Sequence, residues 1–522
     1  MACAGAWGQD TAPSFPANGA NYRLFPAERP PLVPKPQQLL WDGRAIPVQS
    51  VRILAPSPSK TSYPEQMKFI VSELKSFLAE HRVKVAPDGT FAVKFVKGDV
   101  KTGTENSKLK EEAYSLRVTS GGALITAMDT RGFYYGMKTL EQLLLRRGGT
   151  TTIAACDIVD WPDFEIRGFM NDVGRNYMPL PLIARELDSM AQLKLNVYHF
   201  HFTENPGWRL ESKIYPELND SRNYTRMPGK FYTQKEFKQL VEYCRLRNIL
   251  LIPEMDMPGH SQMFRKALNV KMSDEKATKA LVALIKELCS LVPKEKMPII
   301  HIGTDEVRGR DEQVNNEILQ EYINAVESCG RIPMRWQPGL TPKGYNGSIQ
   351  QLWSGRQNRG AWPTDGAKYV DSQETYLNHL DPFETAMTMY FRRACPFRNA
   401  EGLGMMLCSF PDLEITDPRN QVLQTPVYAG MAFVSEPLWN NPHEKVQGDP
   451  NQDEYMKYFS NLPVQGDPLL KGFADYENRV LAIRDRFFMD KEFNYVRQAN
   501  IPWDLLGPIP VSYTHLRAHE TS

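Results

Sequence analysis

The chain has 522 residues, enough for two or three domains. Apolar residues make up 42% and charged residues 24%, an ordinary globular balance, and a formal net charge of +1 provides no bulk field to draw in nucleic acid or an anionic membrane. No apolar stretch approaches the roughly 20 residues of a membrane-spanning helix. The seven cysteines form no CxxC and no regular framework, which excludes a disulfide-dense scaffold.

The start, "MACAGAWGQDTAPS", places small residues before a polar stretch, as the end of a secretory leader does. It lacks a charged opening and a long apolar core. Residues 1–30 are read as a leader that carries a signal remnant, with a secreted or periplasmic location as the expectation. Residues 31–160 mix short strands with helices: "RILAP", "YPEQMKFIVSELKSFLAEH", "FAVKFV", "AYSLRVTSGGALITAMD" and "GFYYGMKTLEQLLLR". That mixture predicts a small α+β domain in which no polar groups converge.

A different rhythm runs from 161 to 510. Eight apolar segments follow one another, most of them ending in a polar or Gly/Pro-rich loop: "EIRGFMNDVG", "KLNVYHFHFTEN", "ILLIPEMDMPGH", "IIHIGTDEV", "IPMRWQPG", "SIQQLWSG", "AKYVDSQ" and "GLGMMLCSFPD". Helical patterns separate most of them. In "TQKEFKQLVEYCRLRN", Phe237, Leu240, Val241 and Cys244 recur at i, i+3, i+4 and i+7, and Thr233 with Glu236 makes a capping box. Cys244 and Cys289 therefore read as core. "LTPKGYNG", between the fifth and sixth segments, is too short for a normal helix. Strand–helix alternation repeated eight times predicts a (β/α)8 barrel of the α/β class, preceded by the small domain. The last residues, "VSYTHLRAHETS" (511–522), break from all that precedes them. They are read as a non-native tail after a truncated C-terminal extension.

In such barrels chemistry gathers where the strands end at their C-terminal side. Those ends carry Asp172 and Arg175; Glu204; Asp256 and His260; Asp305 and Glu306; Trp336; Trp353; Tyr376; Phe410 and Asp412. The set is rich in carboxylates and aromatics, with no phosphate loop, GxSxG elbow or Cys/His nucleophile pair. Aromatic faces cover the C–H side of a sugar while charged groups take its hydroxyls. Two adjacent acids on one strand end do not obviously straddle a glycosidic bond, as an ordinary retaining pair about 5 Å apart would. The spacing argues for a division of labour, one acid protonating the leaving group and its neighbour orienting something else.

These residues carry a resemblance. "HIGTDEV" resembles the H-x-G-[GA]-D-E motif of family 20 glycoside hydrolases, the β-N-acetylhexosaminidases. "RGFMNDVGRNYMP", "KLNVYHFHFTENPGWRLESKIYPEL" and "ILLIPEMDMPGH" are similar to that family's first three barrel strands, and "LVPKPQQLLWDG" and "GFYYGMKTLEQLLL" to its preceding small domain. The likeness runs from Pro31 to about Trp503. It implies removal of terminal non-reducing β-linked N-acetylhexosamine by substrate-assisted retaining catalysis, in which the substrate's own acetamido oxygen forms an oxazolinium intermediate. Glu306 is then general acid and base, and Asp305 orients the acetamido N–H. His260 links the acid to a second-strand carboxylate, Glu204. Tyr376 binds the acetamido carbonyl, Arg175 holds ring hydroxyls, and Trp336 and Trp353 wall the pocket. Phe410 and Asp412 stand where the family usually has Trp-x-Glu. Glu204-Asn205 replaces Asp-Asp, and Asn378 replaces an Asp that often follows the tyrosine.

Blander readings stand beside each role. Asp305 and Glu306 could be a solvated strand end, His260 a satisfied structural histidine, Trp336 and Trp353 barrel core, and Arg175 a simple partner of Asp172. His199 and His201 read as packed beneath the site, and Trp208 and Trp439 as structural. A metal held by His260, His301 and Asp305 lacks HExxH-like spacing, and no metal or cofactor is expected. The expected partner is an oligosaccharide or glycoconjugate with terminal β-N-acetylhexosamine, without nucleic acid or a membrane span. The alternatives are a catalytically weak or inactive carbohydrate-binding relative, and a barrel glycosidase with an inverting or two-carboxylate mechanism.

Overall fold

The computed structural model describes residues 25–57, 61–307, 316–340, 342, 347–353, 366–373, 375–378, 381–391, 394–395, 401–441, 468–488 and 492–495. Residues 1–24, within the stretch read as a leader, and residues 511–522, read as a tail, lie outside the described residues.

Local patterning builds the N-terminal domain. Phe91–Lys97, Tyr114–Thr119 and Gly122–Ala127 bury every second side chain, the signature of a sheet with one face covered. They belong to an eight-stranded sheet that also contains Gln38–Pro47, paired antiparallel with the long strand Thr150–Asp160. The covering helix Pro64–Glu80 begins on a proline and buries Met67, Ile70, Leu74 and Leu78, one stripe at helical spacing. A second helix, Thr130–Leu143, starts where Oδ1 of Asp129 accepts the Thr130 N–H at 2.8 Å.

Eight parallel strands then close into a barrel: Ile166–Asp172, Val197–His201, Leu250–Glu254, Ile299–His301, Ile332–Gln337, Ile349–Leu352, Tyr369–Asp371 and Gly402–Ser409. Each falls within one of the eight apolar segments, and spatial order follows chain order. The first two strands are buried along their whole length, so they show no alternation of apolar and polar faces, and Arg167, Asn171, Asp172, His199 and His201 are buried with their apolar neighbours. Helices follow most strands, among them Leu180–Gln192, Gln234–Leu246, Glu275–Ser290 and Asn316–Ser328. The capping box is present: Glu236 N–H donates to Oγ1 of Thr233 at 3.2 Å, and the Thr233 N–H to the Glu236 carboxylate at 2.7 Å. Phe237, Leu240, Val241 and Cys244 are buried as their spacing predicts. Between the fifth and sixth strands the described residues hold no helix.

One expectation for the small domain is corrected. Its polar groups do converge, at the seam with the barrel. Buried Asp160 accepts from Tyr114 Oη (2.6 Å), Lys194 Nζ (2.9 Å) and the Trp439 indole N–H (2.8 Å). Lys194 and Trp439 belong to the barrel side, so a buried charge pair with a full set of hydrogen bonds fastens the domains together. The residues that do this are spread over 325 positions of sequence, which is why no local pattern announced them.

Candidate active site

Asp305 and Glu306 are not the end of a strand. The fourth barrel strand stops at His301, and the chain turns through Gly303 (φ +68°), Thr304 (φ +94°) and Glu306 (φ +46°). A Cβ on Gly303 would lie 1.8 Å from Oδ1 of Asp256, so glycine alone lets the turn press against the loop of the third strand. In a pleated strand, neighbouring side chains face opposite sides of the sheet. The turn instead brings both acids to one imidazole. Nε2 of His260 is 3.2 Å from Oε2 of Glu306 and 3.9 Å from Oδ2 of Asp305.

From that imidazole a chain of opposite charges runs across the mouth. Nδ1 of His260 meets the carboxylate of Glu204, which Nη2 of Arg175 approaches to 3.1 Å. Arg175 spends Nη1 on Asp172 at 2.5 Å, and its Nε stands 3.5 Å from the exposed carboxylate of Asp412. Arg175 therefore pairs with Asp172 and also reaches the rim. Burial disfavours charge on Glu204, but Arg175 and His260 outweigh it and hold its carboxyl at about 2. Burial likewise opposes a cation on His260, and Glu204 with Asp256 overcomes it, so the imidazolium persists well above the usual histidine range. Asp305 goes the other way. Burial, then the negative charge of Asp256, push its carboxyl far above the ordinary range despite His260. Side by side, Asp305 keeps 15% of its side chain open and Glu306 keeps 38% open to the mouth.

Aromatic rings wall this group. Phe410 lies 5.3 Å from the Tyr376 ring, edge to face, and the Arg175 guanidinium sits over it at 5.3 Å. Its backbone N–H donates to Oδ1 of Asn378 at 2.8 Å, so the asparagine in place of the usual aspartate still fixes the residue above it. Trp353 is partly buried and donates its indole N–H to Pro338 O at 2.6 Å. Asn205 accepts the Gln262 N–H at 3.0 Å, tying the second-strand loop to the start of the helix that follows His260.

Trp336 departs from expectation. At 1% exposure it is barrel core rather than pocket wall, with its ring packed against His301 (5.0 Å) and below Phe410 (6.3 Å). Its indole N–H donates to Glu254 at 2.6 Å. Position at a strand end does not distinguish a side chain pointing up into the mouth from one pointing into the barrel. His199 and His201 lie buried beneath the site, and Trp208 and Trp439 are buried packing residues, as read. His301 turns toward Glu254 and the Gly303 N–H, so the set His260, His301 and Asp305 is not gathered around a common point. Glu254 was missed as a site residue, and Asp256, named among the strand ends, was given no role. Their signal was available: in "PEMD" they stand two apart at the end of an oily strand, where burial of acids requires partners.

A cavity of about 840 Å³ opens at the other end of the barrel, lined by the first residues of strands such as Ile166, Val197, Ile299 and Ile349. The acids that share an imidazole are at the C-terminal end, and the chemistry belongs there.

Comparison with known proteins places this architecture. Residues 164–280 match the model of the glycosyl hydrolase family 20 catalytic domain, and residues 29–161 that of family 20 domain 2. The chain is 30% identical over 424 residues to human beta-hexosaminidase subunit beta, covering 70% of this chain and 74% of that one. It is 39% identical over 166 residues to a Porphyromonas gingivalis beta-hexosaminidase, 29% of this chain but only 21% of that protein's length. A Vibrio harveyi family 20 exo beta-N-acetylglucosaminidase, solved in complex with N-acetylglucosamine, superposes with a TM-score of 0.65 at 20% identity, covering 88% of this chain and 78% of that one. That last likeness shows the fold. The chain belongs to glycoside hydrolase family 20.

Proposed function

We propose that this protein is an exo-acting β-N-acetylhexosaminidase that cleaves terminal non-reducing GlcNAc or GalNAc with retention, through an oxazolinium formed by the substrate's own acetamido group. The observation that carries this reading is the convergence of Asp305 and Glu306 on His260, which Glu204 holds from the other side.

Glu306, open to the mouth, protonates the departing glycosidic oxygen and later takes a proton from water. His260, kept charged by Glu204, holds a proton within hydrogen-bond reach of it. Asp305 accepts the acetamido N–H, and its carboxylate opposes the positive charge that spreads over the amide as the ring closes. That charge, facing the buried carboxyl, favours its ionised form at the moment it is needed. Tyr376 takes the acetamido carbonyl, and Trp353 with Phe410 covers the sugar's apolar face. Arg175 and Asp412 form a rim whose charges suit ring hydroxyls.

Turnover of aryl β-GlcNAc and β-GalNAc substrates, with NMR of the first-formed anomer and inhibition by an oxazoline-mimicking thiazoline, tests the proposal. A β-anomer product and tight thiazoline binding are expected. An inverted product, or equal cleavage of substrates lacking the amide, would refute it, and sugar binding without turnover would assign the chain to inactive relatives.

A further inference from the structure

Beneath the acids lies a second polar layer that the mechanism above does not use. Glu254, the last residue of the third barrel strand, is 0% exposed. Its Oε1 accepts the Trp336 indole N–H at 2.6 Å. Its Oε2 is 2.8 Å from Nε2 of His199 and 3.7 Å from Nε2 of His201. Nδ1 of His301 stands 3.0 Å from Oε1 and also accepts the Gly303 N–H at 3.1 Å.

That nitrogen can serve one partner only. A proton on it would turn it toward Glu254 and leave the Gly303 N–H unbonded. The Gly303 N–H is directed at that nitrogen, so its lone pair serves Gly303 while the Trp336 indole bonds Oε1 of Glu254. Trp336 is joined to the same turn through its backbone: its N–H donates to Gly303 O at 2.9 Å, and Thr304 Oγ1 donates to its carbonyl at 3.3 Å. The turn held this way carries Asp305 and Glu306 two and three residues on.

We propose that Glu254 is a positioning residue, fixing Trp336 and the turn of Asp305 and Glu306 from below through its indole bond and its contest with Gly303 for His301. The inference rests on the reading under Proposed function. Burial opposes charge on Glu254, but the neighbouring imidazoles, His201 first, outweigh it and hold its carboxyl well below the usual range, so the indole meets an anion.

The experiment compares Glu254→Gln, Trp336→Phe and their double variant with the wild-type chain. Displacing the acids by a fraction of an ångström to an ångström predicts a fall in kcat of about 10²-fold with little change in KM. Thiazoline affinity per folded molecule falls in parallel, and the double variant is no worse than the weaker single one, because both break the same linkage. In an indole N–H NMR spectrum, the resonance missing from Trp336→Phe moves in Glu254→Gln. A folded Glu254→Gln with wild-type thiazoline affinity, or losses that multiply in the double variant, overturns the proposal. Should Glu254→Gln fail to fold, Trp336→Phe decides, since it removes only the indole and keeps an aromatic ring: unchanged thiazoline affinity overturns. A wild-type chain that neither turns over nor binds thiazoline refutes the functional reading instead, and the indole resonance then judges the positioning role by itself, an unmoved signal overturning it.

Discussion

His260 faces Glu306 across 3.2 Å, Nε2 to Oε2, from a loop of one barrel strand to a turn of the next. Everything proposed for the reaction passes through that approach, because it sets a persistent imidazolium beside the more open of two adjacent acids.

Replacing that acid tests its role directly. Glu306→Gln should lose about 10²–10⁴-fold in kcat on substrates whose leaving group must be protonated, and far less on activated aryl glycosides. A leaving-group series decides; equal losses across it would contradict an acid.

Asp305→Asn should lower kcat more than it raises KM, since its contact strengthens as charge develops on the amide. Thiazoline affinity should drop with kcat. If steady-state kinetics show a rise in KM alone, Asp305 merely binds.

The Glu204–His260 pair makes a signed prediction about pH. Glu204 is depressed from 4.5 to about 2, so its contribution to stability is full above 4.5 and is lost as pH falls through about 2. His260 is raised above 6.5, so its contribution is full below 6.5 and is lost as pH rises through its elevated value. Glu204→Gln abolishes the first and draws the second down toward 6.5. Thermal melts should show a wild-type plateau extending beyond neutral pH, and a variant that is less stable and begins its alkaline decline earlier. Parallel curves would show that the two groups are uncoupled.

Gly303→Ala should be costly out of proportion to one methyl group. The residue sits at φ +68°, and a Cβ there would meet Asp256 Oδ1 at 1.8 Å. The conformational term alone is on the order of 1 kcal/mol or more, with the clash added to it. Chemical denaturation should register the loss, and kcat should fall with it because the turn carries both acids. A variant with wild-type stability and rate would mean the turn is not held in this form.

Much of this was legible along the chain. The eight strands announce themselves because barrel strands buried on both faces are mostly apolar, and the helices because one stripe of each packs against it. Thr233 and Glu236 satisfy backbone donors within three residues, so their role needs no tertiary information. Asp305, Glu306, His260, Glu204, Arg175, Tyr376 and Phe410 stand out where the apolar segments turn polar, and the fold brings all of them to one mouth.

Trp336 shows where such reading stops. Its position in sequence is compatible with pocket or core; the direction of its indole depends on Glu254, more than eighty residues earlier. Apolar spacing and cap chemistry act over a few residues, which is why the amino-acid order by itself determined the barrel, its strand sequence and the roster of polar strand-end residues. Which of those acids share an imidazole, which has its carboxyl pushed up by burial and which tryptophan lies beneath the floor depended on dihedrals of a glycine turn and on partners brought together from distant strands. Electrostatics and packing of that kind exist only once the chain has closed on itself.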